Sequence, residues 1–317
     1  PALHAGPRRR NRRSAVKAAA PGKLVLSGAY AVLYGAPAVV TAVDRYVVSD
    51  SSRQSTFEAP EVVAAARRYP GRVIPGFDAS ELRSGDKKLG LGSSAAITVS
   101  AVALWELEAA PTLTDAELAA KCFPVAFAAH REAQGGGSGI DVAAASFGGT
   151  LRAERSASGE LELRPVQLPA ELGVEVWWTG VPASTPALLA QVAALEASDP
   201  ARFSRLVNAQ ADAAERTARA IEAANLEELL AGFHAQFLAL GALGEAANAP
   251  IVSPELVAGS KNLDPRDEVW LPAGAGGGDV LLRYRHPAST AAPPSAIERS
   301  AQRLPLELGA RGVHFRP

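Results

Sequence analysis

The chain has 317 residues, of which 48% are hydrophobic and 21% charged, with a formal net charge of −1. That length suits two domains, and the balance excludes disorder and fibrous repeats. The near-neutral charge lacks the basic bias of a nucleic-acid binder, and no stretch approaches the ~18 consecutive apolar residues of a membrane span, so neither partner is expected.

Residues 1–14 hold Arg8, Arg9, Arg10, Arg12 and Arg13 with no apolar segment behind them. They read as a disordered basic tail rather than a secretory signal, with a weak contact to an anionic partner as the alternative. The sequence contains no methionine, and the numbering is expected to start after processing or trimming. Residues 15–27 read as a strand running into Gly28, and the β-branched segment 38–49 as a second strand. A polar, Pro- and Gly-punctuated stretch follows to about residue 88, with one short helical piece near Glu61–Arg68.

Then comes Lys87-Lys88-Leu89-Gly90-Leu91-Gly92-Ser93-Ser94-Ala95-Ala96, and at once a helix over Ala95–Glu108. Thr114 with Glu117 has the capping-box pattern of a helix start, and this helix runs to about Gln134. Cys122 lies in its apolar pattern and reads as a small buried hydrophobe; a lone cysteine excludes an internal disulfide and a Cys-rich zinc site. The histidines are scattered without metal-ligand spacing, and a cytoplasmic location is expected.

A second glycine loop, Gly135-Gly136-Gly137-Ser138-Gly139, precedes a helix over Asp141–Ser146, and strands are expected at 150–154 and 160–166. Glu175–Thr179 reads as a buried strand. The Ala/Leu-rich region from Thr185 to about Ala247 reads as three helices, broken near Ser198-Asp199-Pro200 and at Asn225. Strands at 267–271 and 280–285 flank a third glycine loop, Ala273-Gly274-Ala275-Gly276-Gly277-Gly278. Segregated strands and helices point to an α+β fold, with an N-terminal domain over 15–168 and a C-terminal domain over 169–317.

The first loop combines glycines, two hydroxyls and a helix start. Free N–H groups and the partial positive charge of a helix N-terminus favour phosphate there. A Walker loop is excluded because Gly-Lys-Ser/Thr is missing. The dinucleotide fingerprint matches Gly90, Gly92 and Ala95 as a string, but Ser84–Lys88 does not read as the strand it must follow. In the second loop Asp141 is either a helix cap or a carboxylate that positions or deprotonates an attacking oxygen. Lys23, in Pro21-Gly22-Lys23-Leu24, is either a surface-edge residue or a lysine that needs a buried partner.

The order of these pieces, a lysine strand, then GLGSSAA, GSGID and GAGGGD, resembles the GHMP kinase superfamily from about residue 18 to 285. The flanking text is most like its phosphomevalonate kinase branch: Lys87-Lys88-Leu89, Ala129-His130, Phe147-Gly148-Gly149 and Thr179–Thr185. Mevalonate kinases usually carry a metal-binding Glu where this chain has His130. The family also reads Gly-Glu-Tyr or Gly-Glu-His where this chain has Gly28-Ala29-Tyr30, which keeps a non-catalytic relative in view.

The resemblance implies a ribosomal-S5-domain-2-like N-terminal domain and a ferredoxin-like C-terminal domain with the active site between them. It implies ATP and Mg²⁺ as cofactors. Lys88, Gly90, Leu91, Gly92, Ser93, Ser94, Ala95 and Ala96 would bind the nucleotide, with Ser94 on the metal. Lys23 and Asp141 would be catalytic. Ser138, Gly139, Ser184, Thr185, Gly274, Ala275, Gly276 and Gly277 would meet the acceptor. The expected partner is a small phosphorylated or hydroxylated acceptor, foremost 5-phosphomevalonate, with mevalonate or a sugar as alternatives; a homodimer is compatible. A phosphomonoester, with a second pKa of about 6, needs little base catalysis but much positive charge. Lys23, Lys87, Lys88, Arg83 and Arg131 are the candidate cations.

Overall fold

The first strand, β1 (Lys17–Ser27), is apolar and carries Pro21 and Gly22 in mid-course. In the computed structural model, which describes residues 15–156, 159–289, 293 and 295–317, it pairs antiparallel with β2 (Ala38–Gln54) and shifts register between Pro21 and Gly22. A bulge is where a strand tolerates a residue without an N–H. The basic tail expected over 1–14 lies outside the described residues.

The chain continues through α1 (Pro60–Ala66), β3 (Pro75–Asp78), β4 (Arg83–Ser84), β5 (Lys87–Lys88), α2 (Ser93–Ala109), α3 (Asp115–Gln134), α4 (Ile140–Phe147), β6 (Thr150–Arg155) and β7 (Leu161–Pro165). Lys87-Lys88, read from sequence as non-strand, pairs with Arg83-Ser84 in a two-residue antiparallel ribbon. This ribbon stands apart from the main sheet, so the parallel strand of a dinucleotide fold is still missing. The capping box at Thr114 forms as expected, with Glu117 reaching back to the Thr114 N–H at 2.8 Å. Cys122 is fully buried in α3, and burial pushes its thiol pKa up.

The second half holds β8 (Gly173–Trp178), α5 (Thr185–Ser198), α6 (Pro200–Glu222), α7 (Leu226–Ala246), α8 (Pro254–Ser260), β9 (Glu268–Pro272), β10 (Val280–Arg285), α9 (Ser295–Ser300), β11 (Gln302–Leu304) and β12 (His314–Arg316). One sheet has the order β12-β1-β2-β6-β7, with β3 also on β2; the other runs β11-β8-β10-β9. The last strand therefore returns to the first sheet, where His314–Arg316 pairs with Lys17–Ala19.

The α7 helix is long and apolar enough, by composition, to span a membrane. Here it packs on α6 and β9. Its Phe233 stacks on Tyr284 of β10 with ring centroids 3.7 Å apart, and the Tyr284 hydroxyl donates to the Leu26 carbonyl at 2.8 Å. That bond ties the second sheet to β1.

The neighbouring positions of β10 differ. Leu281 packs with Trp177 and Trp270, while Arg283, 1% exposed, bonds both Glu268 and Glu175. Buried charge of this kind persists only where partners surround it. Trp270 and Trp177 supply further N–H donors to the same two carboxylates.

Candidate active site

The Pro-Gly-Lys segment has a structural reason. The β12 strand covers β1 only to Ala19; farther along, the Lys23 N–H donates to the Leu91 carbonyl at 2.9 Å. A Cβ on Gly22 would sit 2.9 Å from that same oxygen. Pro21 leaves no donor unpaired beside it. The first glycine loop is thus docked along β1.

Gly90 and Gly92 do more than open the backbone to an anion. A Cβ at Gly92 would lie 2.6 Å from Lys23 Cε and 2.8 Å from its Cγ. The lysine stem occupies that slot, and its Nζ reaches Asp141 Oδ2 at 3.0 Å, with the two side chains 13% and 33% exposed. A Cβ at Gly90 would lie 2.5 Å from the Cβ of Asp279. Both glycines have left-handed backbones, φ 76° and 74°.

The helix ends point the same way. Side chains cap α3, α5, α6, α7 and α8, through Thr114, Ser184, Asp199, Asn225 and Ser253. The N-caps of α2 and α4 are Gly92 and Gly139, with no side-chain cap at either. Their first N–H groups meet no capping side chain, as at α1, and both ends favour negative charge. Asp141 lies in the first turn of α4 and pairs with Lys23 rather than capping the helix.

A cavity of about 270 Å³ lies beside this pair. Of the positions expected from sequence, Lys23, Ser138, Gly139, Asp141, Thr185, Gly274 and Ala275 line it. Ser184 does not; it is exposed and its hydroxyl accepts the Ala187 N–H at 3.4 Å to cap α5. Gly276 and Gly277 also stand back from the cavity, packed against the Ile251 carbonyl and the Leu188 side chain. On the loop side Ala95 and Ala96 are fully buried, so only their backbone can serve a ligand. The Ser94 hydroxyl lies 3.3 Å from His130 Nε2. Leu91 is buried in the core, Ser93 opens α2, and Lys88 is exposed on the ribbon. Lys87 Nζ donates to the Gly180 carbonyl at 3.1 Å. Arg83 bonds the Asp86 carbonyl and Arg131 stacks 5.5 Å from the Phe127 ring, so each cation has local work elsewhere.

Several residues at the site had no role in the sequence reading. Tyr30 is buried with φ 63°, a strained conformation for a bulky residue, and its hydroxyl donates to the Ala275 carbonyl at 2.7 Å. Burial pushes its pKa up, so it stays a phenol and a donor. Arg155 donates to the Gly137 carbonyl at 3.0 Å and pins the second glycine loop. No local pattern marks an arginine at a strand end for that task. Asp279 did carry a signal: a charge directly after a glycine run and before an apolar strand.

The description "GHMP kinases N terminal domain" matches residues 61–149. A Streptomyces protein named phosphomevalonate kinase is 26% identical, covering 82% of this chain and 87% of its own length. An Archaeoglobus fulgidus protein named mevalonate kinase is 30% identical over 84% of this chain and 90% of its own. Among solved structures, Streptococcus pneumoniae phosphomevalonate kinase in complex with phosphomevalonate and AMPPNP superposes with a TM-score of 0.68 at 18% identity, over 93% of this chain and 100% of that one. The chain belongs to the GHMP kinase family, and its α+β architecture is the fold of that family.

Proposed function

We propose that the chain transfers the γ-phosphoryl group of ATP to 5-phosphomevalonate, giving ADP and 5-diphosphomevalonate, a step of isoprenoid formation. The observation that carries the kinase reading is the Lys23–Asp141 pair, set between the uncapped start of α2 and the cavity. Nucleotide phosphates on the Gly90–Ala96 loop and an acceptor in the cavity would meet at Lys23. Catalysis of this transfer is mainly positioning and charge neutralisation.

Lys23 Nζ would stabilise negative charge on the transferring group. Asp141 holds that ammonium in place through the 3.0 Å contact. A phosphate oxygen of the acceptor attacks phosphorus, the bond to the ADP oxygen breaks, and little deprotonation is needed because the acceptor is already largely dianionic. Lys88, exposed at the loop entrance, would offset part of the remaining charge, and Lys87 could join it by leaving the Gly180 carbonyl.

The residues suit Mg²⁺ carried in on the nucleotide rather than a resident ion. Among the described residues no group of three or more His, Cys, Asp or Glu side chains could cage a metal. Mg²⁺ needs only one or two protein oxygens beside phosphate and water. The Ser94 hydroxyl would supply one such oxygen, and the Asp141 carboxylate could supply the second. When bound, the ion neutralises charge on the β- and γ-phosphates.

Phosphomevalonate is favoured by the Streptomyces relative, by His130 near Ser94 and by the paired lysines. Mevalonate is the second reading, supported by the Archaeoglobus relative and by Asp141, a carboxylate that can take a proton from an alcohol. An assay coupled to ADP release, run with 5-phosphomevalonate, mevalonate and galactose, separates them. The proposal requires the highest kcat/KM with 5-phosphomevalonate. Turnover of mevalonate alone makes Asp141 a base, and nucleotide binding without turnover of any acceptor leaves a non-catalytic relative.

A further inference from the structure

Three loops of the site are tied together at Asp279. Its N–H donates to the Val181 carbonyl at 2.7 Å, and its carbonyl accepts from the Thr179 N–H at 2.8 Å. Its carboxylate accepts from the Ala183 N–H, and its side chain fills the slot over Gly90. The backbone there is left-handed, φ 45°, which aspartate and asparagine tolerate better than most residues.

A carboxylate in that slot competes with the anion that the loop would hold. The loop beneath it leads to an uncapped helix end that favours anions, yet a fixed negative charge is packed against it. Lys23 and Lys88 act on Asp279 from β1 and β5; burial nevertheless outweighs them and pushes its pKa up. Lys23 is shared with Asp141, and Lys87 is turned to the Gly180 carbonyl. The ties to Val181, Thr179 and Ala183, and the fit over Gly90, need an acceptor of this size and this backbone. None of them needs a charge.

We infer that Asp279 is a positioning residue of the phosphoryl-transfer site, an internal counter-anion that occupies the field of Lys23 and Lys88 and loosens nucleotide binding so that product can leave. The inference rests on the kinase reading above. Asp279→Asn keeps the size, the acceptor for Ala183 and the left-handed backbone while removing the charge. Asp279→Gly removes both charge and backbone strain.

The test measures AMPPNP affinity by titration calorimetry, KM and kcat for ATP, and the urea midpoint of each variant. Because like charges repel and the field of a lysine is shared between its anions, removing the Asp279 charge should tighten AMPPNP binding about tenfold in each variant. KM and kcat should fall together, the pattern of a removed ground-state penalty with slower release. A purely structural role would lower the midpoint and weaken binding, or leave both unchanged. Unchanged or weaker affinity in either variant at a wild-type midpoint overturns the inference. Failure of the wild-type protein to bind AMPPNP overturns the kinase reading itself, and the inference with it.

Discussion

Replacing Gly92 by Ala should disable the site by displacing Lys23, a side chain far away in sequence. The added methyl would sit 2.6 Å from Lys23 Cε and 2.8 Å from Cγ, so the stem must leave its slot. The left-handed φ of 74° adds about 1–2 kcal/mol for any residue with a Cβ. Losing the partly buried Lys23–Asp141 contact adds about 1 kcal/mol, for a total of about 2–3 kcal/mol in urea unfolding. Displacing a group that stabilises transition-state charge costs about 10²–10³ in kcat. A double-mutant cycle with Lys23→Ala isolates the clash, because without the stem only the backbone cost of Gly92→Ala remains. The steric argument predicts about 1 kcal/mol of coupling in stability and strongly non-additive kcat values. Additive effects on both would refute it, and would make Gly92 a glycine needed only by the phosphates.

Asp141→Asn should lower kcat at least tenfold with either acceptor while changing stability by less than about 1 kcal/mol, since the pair is partly exposed; turnover within a few-fold of wild type would leave Asp141 without a part in catalysis. Glu268→Gln leaves Arg283 buried with one charged partner fewer and should cost about 3–5 kcal/mol in urea unfolding, whereas a loss below about 1 kcal/mol would show the network to be dispensable. Burial raises the Glu175 carboxyl, but the Trp177 N–H and the Arg283 charge outweigh it and hold the pKa below the unfolded value of 4.5. Its stabilising effect is therefore present above that pH and lost as pH falls through the lower folded value, so Glu175→Gln should flatten the acid limb of stability against pH. Tyr30→Phe removes the donor to the Ala275 carbonyl and should cost about 1 kcal/mol, with a rise in acceptor KM larger than the rise in ATP KM.

Much of the fold was legible because its long elements obey local rules. Helix α3 starts at its capping box, and the breaks at Ser198–Pro200 and Asn225 separate α5, α6 and α7 as their Pro and Asn residues demand. The short pieces were not legible. The three-residue strands β11 and β12 are made by their partners, β8 and β1, and carry no periodicity of their own. The Lys87-Lys88 ribbon is polar and just two residues long, so nothing local marks it as a strand.

The candidate site divides in the same way. Lys23 and Asp141 were joined only by what the family resemblance implies, whereas the three glycine loops could be picked out because their residue types are unusual in their settings. The reason for two of the glycines could not. Gly90 and Gly92 read as room for a phosphate, yet each also makes room for a side chain, Asp279 and Lys23, that only the folded chain brings there. Ser184 shows the opposite case: its hydroxyl, expected at the acceptor, caps the α5 helix.

The central claim is that this chain adds a second phosphoryl group to a phosphorylated acceptor. Phosphorus NMR of the purified protein with ATP, Mg²⁺ and 5-phosphomevalonate reads that directly. The account predicts loss of the phosphomonoester resonance and growth of two coupled diphosphate resonances in step with ADP. An unchanged monoester resonance, under conditions where the protein binds AMPPNP or phosphorylates mevalonate, would contradict it.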